Sequence, residues 1–148
     1  MILRKIFLCM ALLLALNVTA SAGVKHFGPL SAEVPDGWTA SQHGSATVIK
    51  SSRTNASVTV AVNTMGEASL SDIAEKLCEQ MDGRELEMDN DGDYSFLFTN
   101  HAGAECFAIM TDSGDGRYIL MSASGIETED ERTQAELEAI IDSLDWNE

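Results

Sequence analysis

Short apolar segments separated by turns rich in aspartate, asparagine and glycine dominate the chain between residues 30 and 124. In several of them apolar residues alternate, as at Val58, Val60 and Val62, which is typical of a strand with one buried face. The intervening turns have the composition that tight hairpins need. The segments predicted to be strands are Leu30–Val34, Ala46–Ser51, Ala56–Asn63, Arg84–Met88, Tyr94–Asn100, Gly103–Thr111 and Arg117–Ser124.

Two segments change to a helical period. Apolar residues between Ser69 and Met81 recur at the spacing of one helix face, with Ser69 or Ser71 as the candidate N-cap. A second apolar stripe precedes the C-terminus, and Thr128 and Thr133 each begin a capping-box pattern ahead of it. The order is three strands, a helix, four strands and a helix. It predicts an α+β fold in which an antiparallel sheet of about six to seven strands is covered by two main helices.

The N-terminus has the three-part pattern of a secretory signal peptide. A basic pair, Arg4 and Lys5, precedes an apolar run of eleven residues, and alanines occupy the −3 and −1 positions of a cut before Gly23. The run is shorter than the roughly 20 residues that span a bilayer. Residues 1–22 are therefore predicted to be a cleaved signal peptide. Residues 23–148 are predicted to be a single exported globular domain, periplasmic or secreted.

The part predicted to be exported is strongly acidic. The chain has nine Lys and Arg against 24 Asp and Glu; without Arg4 and Lys5 the basic count falls to seven, and the net charge changes from −15 to −17. Such a surface repels nucleic-acid phosphates and favours cations and basic partners. We therefore expect the partner to be an envelope protein with a basic contact surface. We do not expect the protein to bind nucleic acid. No segment after residue 22 predicts a membrane span.

Two cysteines, Cys78 and Cys106, follow the predicted signal peptide. An even pair in an oxidising compartment indicates one disulfide. In the chain-entropy model, that bridge would contribute about 3–4 kcal/mol to stability. Two separately buried thiols are the alternative, because the sequence does not show whether the two Cβ atoms face each other.

Two acidic turns form a candidate calcium site. Asp89, Asp91 and Asp93 lie in the first turn, and Asp112 and Asp115 lie in the second. Because alternate turns of an up-and-down meander lie at the same end of the sheet, we expect these two turns to be neighbours. Calcium takes about 6–8 oxygen ligands from such loops. The alternative is a pair of hairpin turns whose Asp and Gly serve turn geometry. No other cofactor is expected.

Most of the chain from residue 30 to 146 is similar to one known family in the order of its elements and in a few short segments. The segments are Val34-Pro35-Asp36-Gly37-Trp38, Ser69-Leu70, Tyr118-Ile119-Leu120 leading to Ser124-Gly125, and Ile140-Ile141-Asp142-Ser143-Leu144. They resemble the PsbP-like superfamily, which includes the DcrB-like bacterial envelope proteins. The resemblance implies an α/β/α sandwich with a central antiparallel sheet. It also implies a non-catalytic accessory or binding role.

No catalytic motif stands out in the sequence. There is neither a Gly-x-Ser-x-Gly nucleophile elbow nor a glycine-rich phosphate loop after a strand. We therefore expect an exported, non-catalytic accessory or protein-interaction domain of the cell envelope. One alternative is a small envelope hydrolase with a site built from loops, which would need a cleft with converging polar groups. The other is a calcium-binding module that uses the acidic turns.

Overall fold

A computed structural model describes residues 23–125 and 130–146 of the chain. Within these ranges the chain forms ten strands, in two antiparallel sheets, and two helices. The α+β class predicted from the sequence is therefore confirmed. The predicted signal peptide lies outside the described residues. The elements are β1 (Gly23–Phe27), β2 (Leu30–Val34), β3 (Trp38–His43), β4 (Ala46–Ser51), β5 (Ser57–Thr64), α1 (Leu70–Gln80), β6 (Arg84–Met88), β7 (Tyr94–Thr99), β8 (Glu105–Asp112), β9 (Arg117–Ser124), α2 (Glu131–Ser143) and β10 (Asp145–Trp146).

The larger sheet has seven strands in the order β3-β4-β5-β9-β8-β7-β6. Strand β9, the last of them along the chain, lies in the middle and pairs with both halves. On one side Met121 is opposite Val60 of β5, and on the other it is opposite Ile109 of β8. Strands β3 to β5 and strands β6 to β8 are therefore two meanders joined by β9, and α1 connects them.

The smaller sheet has three strands in the order β1-β2-β10. The segment Leu30–Val34, which we expected in the central sheet, instead pairs with β1 along its length and with β10 at Leu30 and Ser31. Strands β1, β3 and β10 were not predicted. Four of the five residues of β1 are exposed, β3 is mostly polar beyond Trp38, and β10 has two residues. None of these strands therefore carries the alternation that marks a half-buried strand.

The two faces of the larger sheet belong to separate hydrophobic cores. Phe107 of β8 packs in a cluster with Leu137 and Ile140 of α2. The next residue, Ala108, packs in a second cluster with Ala74 of α1. Since successive side chains of a strand point to opposite faces, the two helices lie on opposite sides of this sheet. The smaller sheet lies on the α2 side, because its residues join the first cluster.

The helix caps match the sequence prediction at one helix and differ at the other. Ser69, one of the two predicted candidates, caps α1 and forms a capping box with Asp72. Helix α2 is capped by Asp130 instead of Thr133. Thr133 lies inside the first turn, where its hydroxyl donates to Asp130 at 2.7 Å. Thr128 lies outside the described residues. No helix within the described residues has the length and apolar character needed to cross a membrane.

Candidate binding groove

A groove opens between the β1–β2 hairpin and the larger sheet, on the face that α2 covers. It has a volume of about 280 Å³. The hairpin supplies Phe27 and Leu30, and β5 supplies Val60 and Val62. Trp146 of β10 closes one side, because β10 pairs with β2 at Leu30. We call this site the Trp146 groove; its polar lining residues are Gln42, Ser45, Thr47, Asn63, Thr64 and Arg117.

Arg117 is the charged side chain of the Trp146 groove. It begins β9 opposite Thr64 and therefore shares a sheet face with Val60 and Val62. Its guanidinium carbon lies 5.7 Å from the centre of the Trp146 ring, within the range of a cation–π contact. Its Nε donates to Asp115 Oδ2 at 2.8 Å, and its Nη2 donates to the same oxygen.

Hydrogen bonds from Arg117 and Ser113 hold the pKa of Asp115 well below its usual range. A carboxyl whose folded pKa is lowered contributes stability above the ordinary aspartate value of about 3.9. That contribution is lost as pH falls toward the folded pKa. The Arg117–Asp115 pair is therefore fully formed at neutral pH.

The indole Nε1 of Trp146 is a buried donor without a hydrogen-bond partner. An unpaired buried N–H costs about 1–3 kcal/mol, because it has lost water and gained nothing. Unsatisfied groups of this kind are uncommon in folded proteins. The donor belongs to a residue that lines the Trp146 groove, so an acceptor bound there is one way in which it can be satisfied.

The two acidic turns lie at the same end of the sheet. Met110 of β8 is opposite both Tyr94 of β7 and Leu120 of β9, so the turns that precede these two strands are on one side. Strand β7, which begins after the first turn, pairs directly with β8, which ends at the second turn, and neighbouring strands are about 4.8 Å apart. Within the described ranges, no group of three or more His, Cys, Asp or Glu side chains is placed to hold a metal ion.

Two of the five aspartates, Asp89 and Asp112, accept hydrogen bonds from the backbone of their own turns. Asp89 Oδ1 accepts from the amides of Asp91 and Asp93 at 2.9 and 3.0 Å. Asp112 Oδ1 accepts from the Gly114 amide at 2.8 Å, and Asp115 is ion-paired with Arg117. Asp112 is the last residue of β8, and the other four aspartates lie in the two turns; within the described ranges the five do not form a group placed to hold one metal ion. Calcium binding stays a prediction.

The two cysteines lie in the same hydrophobic cluster as free, buried thiols. Burial raises the pKa of Cys78, and it raises the pKa of Cys106 against an opposing effect of hydrogen bonds from Asn100. A raised thiol pKa leaves little of the reactive thiolate. A disulfide between them stays a prediction. Mass spectrometry of the protein before and after reduction tests it, because reduction of a disulfide adds two hydrogens.

A buried carboxylate, Glu136 of α2, joins the helix to the start of the larger sheet. Its Oε2 accepts from Trp38 Nε1 at 2.5 Å and from Arg53 Nη2 at 2.6 Å. Its Oε1 accepts from Arg132 Nε at 2.9 Å. These donors surround the carboxylate, so the group is satisfied despite its burial. We assign it a structural role, because it lies outside the Trp146 groove.

A second buried carboxylate of α2 is not satisfied. Glu138 is 8% exposed, and its Oε1 has no hydrogen-bond partner. Burial raises its pKa, and the nearby charge of Asp142 adds to the effect. A carboxyl whose folded pKa is raised stabilises the fold at low pH, and this contribution is lost as pH rises through the folded pKa.

Glu138→Gln is therefore expected to raise the melting temperature at pH 7 by about 2–4 °C. The amide keeps the shape of the side chain and removes the buried charge. At pH 4 the gain should disappear, because the wild-type carboxyl is then largely neutral. Thermal unfolding followed by circular dichroism at both pH values measures this, with Glu131→Gln as the exposed control on the same helix. A gain of equal size at both pH values would contradict the explanation.

Among the described residues, an exposed serine and histidine on β3 lie within hydrogen-bond distance, as a catalytic nucleophile and its base would. Ser41 Oγ and His43 Nε2 are 3.2 Å apart. Gln42, between them, lines the Trp146 groove. Because neighbouring residues of a strand point to opposite faces, Ser41 and His43 point away from that groove. Ser41 and His43 therefore do not line the Trp146 groove.

Sequence reasoning missed the residues that form the Trp146 groove. Trp146 lies beyond the second predicted helix, where no pattern marks a site, and Arg117 was expected only to begin a strand. One signal was available, since Arg117 is among nine basic residues in a chain with 24 acidic ones. Its position beside Trp146 depends on pairings between distant strands, which the local pattern does not show.

No protein-family model matches the chain, and no curated protein matches it. We therefore base its function on its own residues.

Proposed function

We propose that the protein is an exported, non-catalytic accessory domain of the cell envelope that binds a ligand in the Trp146 groove. The observation that carries the proposal is that Trp146, whose buried indole N–H is unpaired, lines a groove that also presents Arg117. Binding sites typically combine an apolar lining with a few polar groups that fix orientation. Phe27, Leu30 and Val60 supply the apolar part here.

Export follows from the signal-peptide pattern of residues 1–22 and implies a periplasmic or secreted protein. The arrangement of the helices on opposite faces of an antiparallel sheet is compatible with a PsbP-like sandwich. On that basis we include the DcrB-like envelope proteins in the proposal as the family that suits the fold. The accessory role belongs to the same resemblance.

The charge of the protein favours a basic contact surface on any protein partner. The 24 acidic residues far outnumber the basic ones, so a partner surface rich in lysine and arginine is attracted over a long range. We propose an envelope protein as this partner. Its contact would use the acidic exterior, whereas the Trp146 groove is occupied by a small ligand.

Titration of ¹⁵N-labelled protein with small neutral, anionic and cationic compounds tests the groove by nuclear magnetic resonance. The chain has two tryptophans, so two indole N–H signals are expected. Binding in the groove should shift the indole signal of Trp146 and the amide signals of Val62 and Arg117. The indole of Trp38 is bonded to Glu136 and should not move.

Two valine substitutions provide a matched control. Val62 lines the groove on β5, and Val48 lies on the opposite face of neighbouring β4; both are half-buried. Val62→Trp should fill the groove and abolish the shifts, whereas Val48→Trp should retain them. If no compound moves the Trp146 indole, or Val62→Trp binds as wild type does, the proposed function is wrong.

The same spectra separate the calcium alternative. Calcium bound at the acidic turns would shift the amides of residues 89–93 and 112–115 and would leave the Trp146 indole unchanged. A saturating response confined to those residues would favour a calcium-binding module over a ligand-binding groove.

A further inference from the structure

The charge of the Trp146 groove is unlike the charge of the protein. The chain as a whole carries a net charge of −15. Of the fourteen described residues that line the groove, none is Asp or Glu and one, Arg117, is basic. Among the described lining residues the groove thus carries no acidic side chain, although Asp115 pairs with its arginine from outside the lining. A ligand with an anionic group meets a guanidinium here, whereas the net negative charge of the protein as a whole repels it.

Two kinds of hydrogen-bond donor, the Arg117 guanidinium and the Trp146 indole N–H, belong to residues that are in contact at the groove. The Arg117 guanidinium has five N–H donors in a planar fork, which suits a carboxylate, and its side chain is 41% exposed. The indole N–H of Trp146 has no partner. A carboxylate offers only acceptors, so it complements both groups, whereas an ammonium complements neither.

Asp115 occupies part of Arg117 in the structure. Its Oδ2 accepts from Arg117 Nε at 2.8 Å and from Nη2. A ligand carboxylate must therefore share the guanidinium with Asp115 or displace it. Asp115 lies in the exposed β8–β9 turn and is 29% exposed, so water can take its place beside a displaced carboxylate. Because of this competition, removing the Asp115 carboxylate should change the affinity for a carboxylate ligand.

The size of the groove limits the rest of the ligand. At roughly 30 Å³ for each water molecule, 280 Å³ corresponds to about nine waters. A ligand of about ten non-hydrogen atoms fits such a volume. The lining is mixed, with Thr64 opposite Arg117, but it includes the apolar Phe27, Val60 and Val62, so a hydrocarbon body of the ligand would have apolar side chains to contact.

We propose that the Trp146 groove binds a small amphipathic carboxylate, such as a medium-chain fatty acid, with the carboxylate at Arg117 and the Trp146 indole and the hydrocarbon chain against Phe27, Val60 and Val62. This inference rests on the proposed function, because it names the ligand class of the same groove. Since the indole nitrogen is closed to solvent, the Trp146 ring must shift when an acceptor reaches it.

Trp146 fluorescence is consequently the direct readout. Trp38→Phe leaves Trp146 as the one tryptophan of the chain. Octanoate, octanol and octylamine share an eight-carbon chain and differ in charge, so they isolate the contribution of the carboxylate. Octanoate is expected to produce a saturable change at an affinity at least about tenfold higher than that of octanol, and octylamine is expected to bind more weakly still.

Substitutions at the ion pair test the anchor. Arg117→Gln should remove the preference for octanoate over octanol, and Asp115→Asn should raise octanoate affinity, because the competing carboxylate is gone. Arg84→Gln is the matched control, since Arg84 is also a partly exposed arginine paired with a carboxylate, Glu105, on strands that do not line the groove. It should leave octanoate binding unchanged. Circular dichroism checks that each variant is folded.

The outcomes separate the two proposals. If octanol or octylamine binds in the groove as tightly as octanoate, the carboxylate proposal is wrong while the groove remains a binding site. If Asp115→Asn fails to tighten binding and Arg117→Gln keeps the preference for octanoate, Arg117 is not the anchor and the proposal is likewise wrong. If neither the three eight-carbon probes nor the small compounds of the titration change the fluorescence or the indole signal of Trp146, both the ligand class and the proposed function are wrong.

Discussion

Gly125→Ala is expected to lower the free energy of unfolding by about 2–5 kcal/mol. Gly125 follows β9 with a φ of +88°, in a region that residues with a Cβ rarely adopt. A Cβ built there would lie 2.7 Å from both Cα and Cβ of Ala56. Ala56 is 1% exposed and precedes β5, so the neighbouring backbone cannot move aside without disturbing the sheet. Strain and overpacking therefore add.

Gly92→Ala separates these two contributions. Gly92 has nearly the same φ, +86°, but an added Cβ there would meet nothing within 4 Å. We expect only the conformational strain, roughly 1–2 kcal/mol. Urea unfolding followed by circular dichroism compares the two variants with the wild type. If both variants lose the same free energy of unfolding, the contact of the added Cβ with Ala56 does not destabilise the protein.

Glu136→Ala is expected to destabilise the protein by about 3 kcal/mol, near the lower end of what breaking a buried ion pair costs. The substitution leaves the buried N–H of Trp38 without its acceptor, which alone costs about 1–3 kcal/mol. It also leaves Arg53 and Arg132 unpaired, but these side chains are 35% and 65% exposed and keep much of their water. The loss of the buried acceptor therefore dominates.

Glu136→Gln and Trp38→Phe resolve the role of that acceptor. The glutamine retains an oxygen for the indole N–H, so Glu136→Gln should lose clearly less stability than Glu136→Ala in urea unfolding. In a double-mutant cycle, Trp38→Phe should reduce the effect of Glu136→Ala, because the donor is already absent. If Gln and Ala at position 136 cost the same, the charge of Glu136 matters more than its hydrogen bond to Trp38.

The elements that the sequence predicted share a strong local pattern. Strand β5 buries the alternate residues Val58 and Val60 in the cluster that contains residues of α2, and α1 has an apolar stripe with a Ser69 cap. Their residues could therefore be read from neighbours within a few positions. The exposed β1, the polar β3 and the two-residue β10 have no such pattern, so their existence depends on pairing with distant segments.

The same physical limit applies to the candidate site. The acidic turns were found because their residues are close in sequence, and the structure places both turns at one end of the sheet. The Trp146 groove, by contrast, is built from side chains more than a hundred residues apart, such as Phe27 and Trp146. The groove is formed by the pairing of strands that are distant in sequence. The local alternation of apolar and polar residues does not show which distant strands pair.

Strand β8 contributes alternate side chains to both hydrophobic cores, with Phe107 in one and Ala108 and Met110 in the other. Neither core can therefore lose its packing without exposing the strand that the other core needs. The two sides of the sheet are thus coupled through a single stretch of backbone, and the domain should unfold as one cooperative unit although its apolar interior is divided into two.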